Sequence, residues 1–164
     1  MNLLIIGAGG HGKVVKEVAQ AVCQFEKIDF VDDNSELAIG KIADLDRLRK
    51  TYDAAFPAIG NNKVRREVLT VLQECEYHIP VLIHPTAYVS ASAEILPGTV
   101  VEPKAIVNAN SKVAQGCIVS VGAIVDHDVV VEQCAHVNAG AICKAGSVIA
   151  AETKLEAGQV VKGY

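Results

Sequence analysis

Ala123-Ile124-Val125-Asp126-His127-Asp128-Val129-Val130-Val131 belongs to a run in which an aliphatic residue recurs at every sixth position. The run comprises Ile83, Val89, Ile95, Val101, Val107, Val113, Val119, Val125, Val131, Val137, Cys143, Ile149, Leu155 and Val161. Cys143 alone is not aliphatic, and it is small and apolar. Four residues after these positions stand mostly small side chains, among them Ala87, Ala93, Thr99, Ala105, Ser111, Cys117, Ala123, Ala135, Ala141, Ser147 and Thr153. An unbroken six-residue period of this kind predicts a β-helix built from hexapeptide repeats. With three hexads to a turn, residues eighteen apart stack, and the run makes about four to five coils.

The rest of the composition fits that reading. The chain has 164 residues, no Trp and an aromatic content of 4%, which suits an interior of aliphatic and small side chains. A length of this order accommodates one domain or two small ones. The net charge of −4, with no Lys/Arg-rich tract, argues against a nucleic-acid partner. No run is long and apolar enough for a membrane span. The start, Met1-Asn2-Leu3-Leu4-Ile5-Ile6-Gly7, lacks the basic segment and cleavage site of a signal peptide and reads as a buried strand. Five cysteines without a CxxC pair predict reduced thiols and a cytoplasmic location.

Ahead of the hexads, residues 1–80 predict a small α/β unit. Leu3 to Ile6 reads as a strand, and Gly7-Ala8-Gly9-Gly10-His11-Gly12 fits G-x-G-x-x-G. A helix follows with Val14, Val15, Val18, Ala19 and Val22 on one face. Lys27 to Val31 is a second strand, ending in Asp32-Asp33 about twenty residues beyond the glycines. In that context the glycines let backbone approach a phosphate, and the helix start offers unpaired N–H groups. Asp44 to Lys50 reads as a short capped helix and Asp53 to Ile59 as a third strand, in which Pro57 argues for an edge or an irregularity. Gly60-Asn61-Asn62 is a turn with an Asn N-cap. The helix after it carries Val64, Val68, Val71, Leu72 and Cys75 on one side. The ligand crevice is expected at the carboxyl ends of the strands, near Gly7 to Gly12, Asp32-Asp33 and Gly60 to Asn62. Three readings are open for it: a plain tight turn, an NAD site, or a site for a nucleotide-linked ligand. With room for only one mononucleotide half, a nucleotide-linked ligand fits better than NAD.

The columns of the coil point to chemistry. His127 stacks on Ala91, Ala109, Ala145 and Gly163, so an imidazole stands among the smallest side chains. The next column holds Ser92, Asn110, Asp128, Gly146 and Tyr164. A lone His beside a carboxylate, with space around it, suits a base acting on a bound ligand; the alternative is an exposed turn residue without a role. Asp128 either orients the ring or is simply solvated. His136 is a ligand contact or a capping side chain. Cys117, Cys134 and Cys143 take small or core positions and predict packing rather than nucleophilic chemistry. No His, Cys and carboxylate cluster has zinc spacing, so no metal is expected.

Together these stretches resemble the bacterial hexapeptide-repeat acyltransferases of the sialic acid O-acetyltransferase type, which include nucleotide-amino-sugar N-acetyltransferases. The resemblance rests on Gly7-Ala8-Gly9-Gly10-His11-Gly12, Phe30-Val31-Asp32-Asp33, Ala58-Ile59-Gly60-Asn61-Asn62-Lys63-Val64-Arg65 and Ala123-Ile124-Val125-Asp126-His127-Asp128. It implies a Rossmann-like domain over residues 1–80 that holds a nucleotide sugar, and a left-handed parallel β-helix over residues 81–164. It also implies a homotrimer with acetyl-CoA as acyl donor. Carried onto this chain, it makes His127 the general base, supported by Asp128, and puts His136 and Gly146 at the acetyl donor. Gly7, Gly9, Gly10, His11, Asp32, Asp33, Gly60, Asn61 and Arg65 fall in the nucleotide-sugar crevice. The expected reaction is N-acetylation of a nucleotide-linked amino sugar in bacterial glycan biosynthesis, without an acyl-enzyme. O-acetylation of sialic-acid-type sugars and a non-catalytic trimeric scaffold are the alternatives. Two departures stand out. Ser120 replaces the Asn often found seven residues before the catalytic His. The run also ends on an uncapped hexad at Tyr164, from which a weaker hold on the donor is expected.

Overall fold

The computed structural model describes Met1–Tyr164 and divides into two compact units, Met1–Pro80 and Val81–Tyr164. In the first, β1 (Asn2–Ile6) is followed by α1 (Gly10–Val22), β2 (Lys27–Val31), a 3-10 turn at Ile42–Asp44, α2 (Leu45–Leu48), β3 (Ala54–Pro57) and α3 (Asn62–Glu74). The three strands form a parallel sheet in the order β2-β1-β3. Being central, β1 must be apolar on both faces, and Leu3 to Ile6 are all buried. Helix α1 packs on β1 and β2, and α3 on β3. Pro57, which has no N–H to donate, ends the edge strand β3 beside Ile6.

Both long helices turn differently from what their valines suggest. In α1 the buried residues are Gly12, Val15, Val18 and Ala19, while Val14 is exposed. In α3 they are Asn62, Arg65, Val68, Leu69 and Leu72, while Val64 is exposed. In each case a close backbone contact or a polar network at the first turn sets the helix rotation, and it outweighs one valine. The segment from Asp44 to Lys50 is helical only as far as Leu48, and the Asp44 side chain accepts the Lys41 N–H just before it.

The second unit is a coil of two-residue strands in three parallel sheets. One contains Leu82–Ile83, Val100–Val101, Ile118–Val119 and His136–Val137. The second contains Tyr88–Val89, Ile106–Val107, Ile124–Val125, Ile142–Cys143 and Val160–Val161. The third contains Glu94–Ile95, Lys112–Val113, Val130–Val131 and Val148–Ile149. Every pairing joins residues eighteen apart, as in Ile106↔Ile124↔Ile142, which is the stacking expected of three hexads per turn.

Side chains alternate across each short strand. The hexad residue points inward, so Val101, Val107, Val113, Val119, Val125, Val131, Val137 and Cys143 form one continuous core. Ala105, Ala123, Ala135 and Ala141 fill its corners. Buried hydroxyls tie coil to coil: Ser111 donates to the Asp126 carbonyl (2.5 Å) and accepts from Val129 N (3.0 Å). Three residues beyond the hexad position the backbone turns with positive φ, at glycine in about half the turns; Asn110, Asp128 and Gly146 form one such column.

Candidate active site

His127 and Asp128 occupy the two central positions of the tight turn that leaves the strand Ile124–Val125. The Asp128 N–H donates to the Ala109 carbonyl one coil before (2.9 Å), and the His127 carbonyl accepts from Gly146 N one coil after (3.1 Å). The imidazole therefore sits in the column of small residues, and its side chain is 46% exposed. Its Nδ1 lies 2.7 Å from Asp128 Oδ2. That contact fixes the tautomer: Nδ1 carries the hydrogen, and Nε2 of the neutral ring keeps its lone pair. The bond to Asp128, with the negative charges of Asp126 and Asp128, raises the His127 pKa above its usual 6.5. Asp128 is correspondingly lowered, first by its bond to His127.

Asp128 holds this place at φ 57°, in the left-handed region that costs a non-glycine residue energy. Gly146 fills the same position one coil later without that cost. Asn110, one coil before, takes the same conformation at φ 58°.

The donor-side expectations fare differently. His136 is largely buried, and its Nε2 lies 2.9 Å from Ser120 Oγ. Ser120, where the resemblance led one to expect Asn, is thus in hydrogen-bond contact with the buried ring. Close by, the buried Glu102 accepts the Val121 N–H (2.9 Å), and burial pushes its pKa up. Gly146, the other residue expected at the acetyl donor, is covered in this chain. The Tyr164 ring lies directly on it, so that a Cβ there would come within 1.8 Å of the ring. Tyr164 also reaches Asp128 Oδ2 with its hydroxyl (3.3 Å), and its ring centroid stands 6.4 Å from that of His127. The column of small residues leaves room beside the imidazole, and in this chain an aromatic ring takes part of it.

In the first unit the glycine turn follows β1 directly. Gly7, at φ 109°, passes so close to β3 that a Cβ would meet the Ala58 carbonyl at 2.8 Å. Gly12 lets α1 descend onto the turn, for a Cβ there would meet the Gly7 carbonyl at 1.9 Å. Gly9, Gly10 and Gly60 face open space. Gly9 is the N-cap of α1 and offers no side-chain cap, so the first N–H groups of the helix are left to a ligand or solvent. Asp32 accepts from Ala8 N and Asn34 N, both at 2.8 Å, and these bonds hold its pKa low. Asp33 accepts from Ile42 N (3.0 Å). The two carboxylates thus shape the glycine turn and the wall of an adjoining cleft of ≈ 530 Å³ lined by Asp32 to Glu36, Ala38 to Lys41 and Asp44.

Asn61 caps α3 by accepting from Lys63 N and Val64 N. Arg65, also expected at the crevice, belongs to the same turn. It is fully buried, donating to the Ile59 carbonyl (2.8 Å) and to Asn62 Oδ1 (2.7 Å), and it lies beneath the turn rather than on its surface. Burial, and then the Arg65 cation, push His11 down to about 4, so its ring is neutral at physiological pH. No cluster of three or more His, Cys, Asp or Glu side chains could hold a metal ion.

Asp126 and Asn108 join the His127 turn in the structure. Asp126 Oδ1 accepts both the His127 backbone N–H (2.8 Å) and Asn108 Nδ2 (3.1 Å). Extending the column argument one residue back from His127 stacks Asn108 on Asp126, and that is the signal that was available.

Comparison with known proteins places these features in context. Residues 2–72 match the PglD N-terminal domain family. Over 109 residues, 61% of this chain, it is 36% identical to UDP-N-acetylbacillosamine N-acetyltransferase of Bacillus subtilis (strain 168); the chain spans 50% of that protein's length. Among solved structures it is similar to the acetyltransferase domain of PglB from Neisseria gonorrhoeae FA1090 in complex with acetyl coenzyme A. That match has 38% identity and a TM-score of 0.94, covering 99% of this chain and 82% of that one. A variant of perosamine N-acetyltransferase from Caulobacter crescentus, in complex with CoA and GDP-perosamine, matches with 28% identity and a TM-score of 0.91. That likeness covers 99% of this chain and 89% of the other.

Proposed function

Because this chain belongs to the bacterial hexapeptide-repeat acyltransferases that include the nucleotide-amino-sugar N-acetyltransferases, we propose that it transfers the acetyl group of acetyl-CoA to the amino group of a nucleotide-linked amino sugar. The relatives' own substrates and ligands support this reading. In it, residues 1–80 are a Rossmann-like domain that takes the nucleotide sugar. Residues 81–164 form a left-handed β-helix that carries the chemistry, the protein is a cytoplasmic homotrimer, and the product serves bacterial glycan biosynthesis.

The observation that carries the proposal is the His127 Nδ1 to Asp128 Oδ2 contact in a column of small side chains. The basic Nε2 of His127 accepts a proton from the acceptor amine as its nitrogen attacks the thioester carbonyl. Asp128 keeps the ring in the required tautomer and balances the imidazolium. Backbone N–H groups stabilise the oxyanion. His127 then returns its proton to the departing CoA sulfur. The sum is an amide and free CoA, and no acyl-enzyme is formed. On the donor side Ser120 orients His136. In the crevice Gly9, Gly10 and the start of α1 contact the diphosphate, Gly60 and Asn61 form the facing turn, and His11 acts as a neutral hydrogen-bonding group. Asp32 and Asp33 shape the wall beside the nucleotide.

The test is release of CoA from acetyl-CoA with a panel of UDP- and GDP-linked amino sugars, in wild-type protein and in His127→Ala. Turnover that survives His127→Ala undiminished refutes the base assignment. Absence of both turnover and acetyl-CoA binding favours a non-catalytic scaffold. Acetylation of hydroxyl acceptors alone favours the O-acetyltransferase reading.

A further inference from the structure

Asp126 does something at the His127 turn that an asparagine does at the equivalent place elsewhere in the coil. At Asn108 and Asn138 the side-chain oxygen accepts the N–H of the next residue, Ala109 and Ala139, each at 2.9 Å. At Asp126 the same device accepts the N–H of His127 (2.8 Å). An amide oxygen serves at those two turns, so the bond itself needs no charge. Yet the chain places a carboxylate at the one such turn that bears an imidazole.

Its surroundings keep that carboxylate ionised and fixed. The His127 backbone N–H and the Asn108 amide both donate to the single oxygen Oδ1, and these bonds lower the Asp126 pKa. The Asn108 amide has its other end held by Ala109 N, so its NH2 group is aimed at Asp126. From below, Ser111 donates to the Asp126 carbonyl. Around the imidazole stand Asp126, Asp128 and the Tyr164 ring, with Asn110 bonded to Asp128.

We propose that Asp126 is a positioning residue for acetyl transfer, holding His127 in place through its backbone N–H and stabilising the imidazolium that forms when the ring takes the proton. Asp128 supplies the direct hydrogen bond, and Asp126 supplies a second negative charge from the neighbouring position. The proposal rests on the acetyltransferase reading for its catalytic part. The bond from the His127 backbone N–H to Asp126 Oδ1 stands on geometry alone, and it keeps the carboxylate next to the residue that carries the ring.

Asp126→Asn separates the two tasks at Oδ1, because one amide oxygen can accept both bonds that Oδ1 now accepts, while the further bond from the Ala145 N–H loses its charged acceptor. The full chain is compared as wild type, Asp126→Asn and Asp126→Ala. The measurements are thermal unfolding, the NMR titration of the His127 ring, and kcat and KM against pH. Asp126→Asn is expected to unfold close to the wild-type temperature and above Asp126→Ala, and to titrate His127 at lower pH. Its kcat is expected to fall about tenfold with KM nearly unchanged. Asp126→Ala is expected to lose on the order of 10²-fold, because the turn is released as well. A His127 titration at the wild-type position in Asp126→Asn, with wild-type kcat, overturns the inference. A lowered titration in a protein that turns over no acceptor retains the link to His127 and refutes the acetyltransferase reading instead.

Discussion

His127 Nδ1 and Asp128 Oδ2 lie 2.7 Å apart in one turn, although Asp128 must hold φ at 57° to make the contact. A pair of adjacent residues usually diverges. Here the left-handed conformation at the second bends its carboxylate back onto the ring of the first. The His127 ring should titrate above 6.5, because its bond to Asp128 and the two nearby carboxylates favour the charged form. As a general base it must be neutral, so kcat/KM should fall as pH drops through that raised value. Asp128→Asn removes the charge and should move the acid limb to lower pH while reducing kcat. A pH–rate profile of both proteins checks this, and an unmoved limb refutes it.

Replacing His127 itself should cost roughly 10²- to 10⁴-fold in kcat, the usual contribution of a positioned general base. Acetyl-CoA affinity should change little, since the assignment gives His127 a part in proton transfer and not in holding the donor. Calorimetric titration of His127→Ala with acetyl-CoA, beside the CoA-release assay, separates the two effects.

The glycines of the first unit divide into packing and open positions, and alanine should tell them apart. Gly12→Ala drives a methyl into the Gly7 carbonyl and should destabilise by about 1–3 kcal/mol, as overpacking does. Gly9→Ala meets nothing within 4 Å and should cost no more than about 1 kcal/mol, the preference for glycine over alanine at a helix N-cap. If the glycine turn contacts a diphosphate, Gly9→Ala should still weaken nucleotide-sugar binding. Denaturant unfolding together with a binding titration reads both.

Arg65→Met should weaken the first unit, because it removes donors from the Ile59 carbonyl and Asn62 Oδ1 and inserts an apolar chain among them. Each buried acceptor left without its partner costs about 1–3 kcal/mol. The same change should raise the pKa of His11, whose depression is due first to burial and second to the Arg65 cation. An NMR titration in which His11 does not move upward contradicts that electrostatic link.

Thiol labelling offers a test of the coil. Burial pushes the Cys143 thiol up to about 11, and Cys117 and Cys134 are equally enclosed, whereas Cys23 is exposed. In the folded protein a maleimide or disulfide reagent should modify Cys23 rapidly and spare Cys117, Cys134 and Cys143 until denaturant is added. Mass spectrometry of the labelled chain identifies the sites.

Periodicity alone determined the coil. A six-residue rule states which side chain points inward at every position, and eighteen-residue stacking follows, so the neighbours of His127 and Asp128 could be named by counting. The short strand, glycine turn and helix of the first unit were legible for a related reason: glycine and apolar runs act through the local backbone. Three matters were left to the tertiary structure. Helix rotation in α1 and α3 depends on contacts at the first turn, which place Gly12 and Arg65 inside and leave Val14 and Val64 outside. The use of Asp32 and Asp33 as acceptors for turn N–H groups depends on where the loop after β2 closes. The surroundings of the imidazole depend on side chains one coil away, Asn108 beneath Asp126 and the Tyr164 ring over Gly146. Sequence patterns record which face a residue presents to the core. They do not record the direction in which a polar side chain turns to find its partner, because that is settled by the competition among all the donors and acceptors that folding brings within reach.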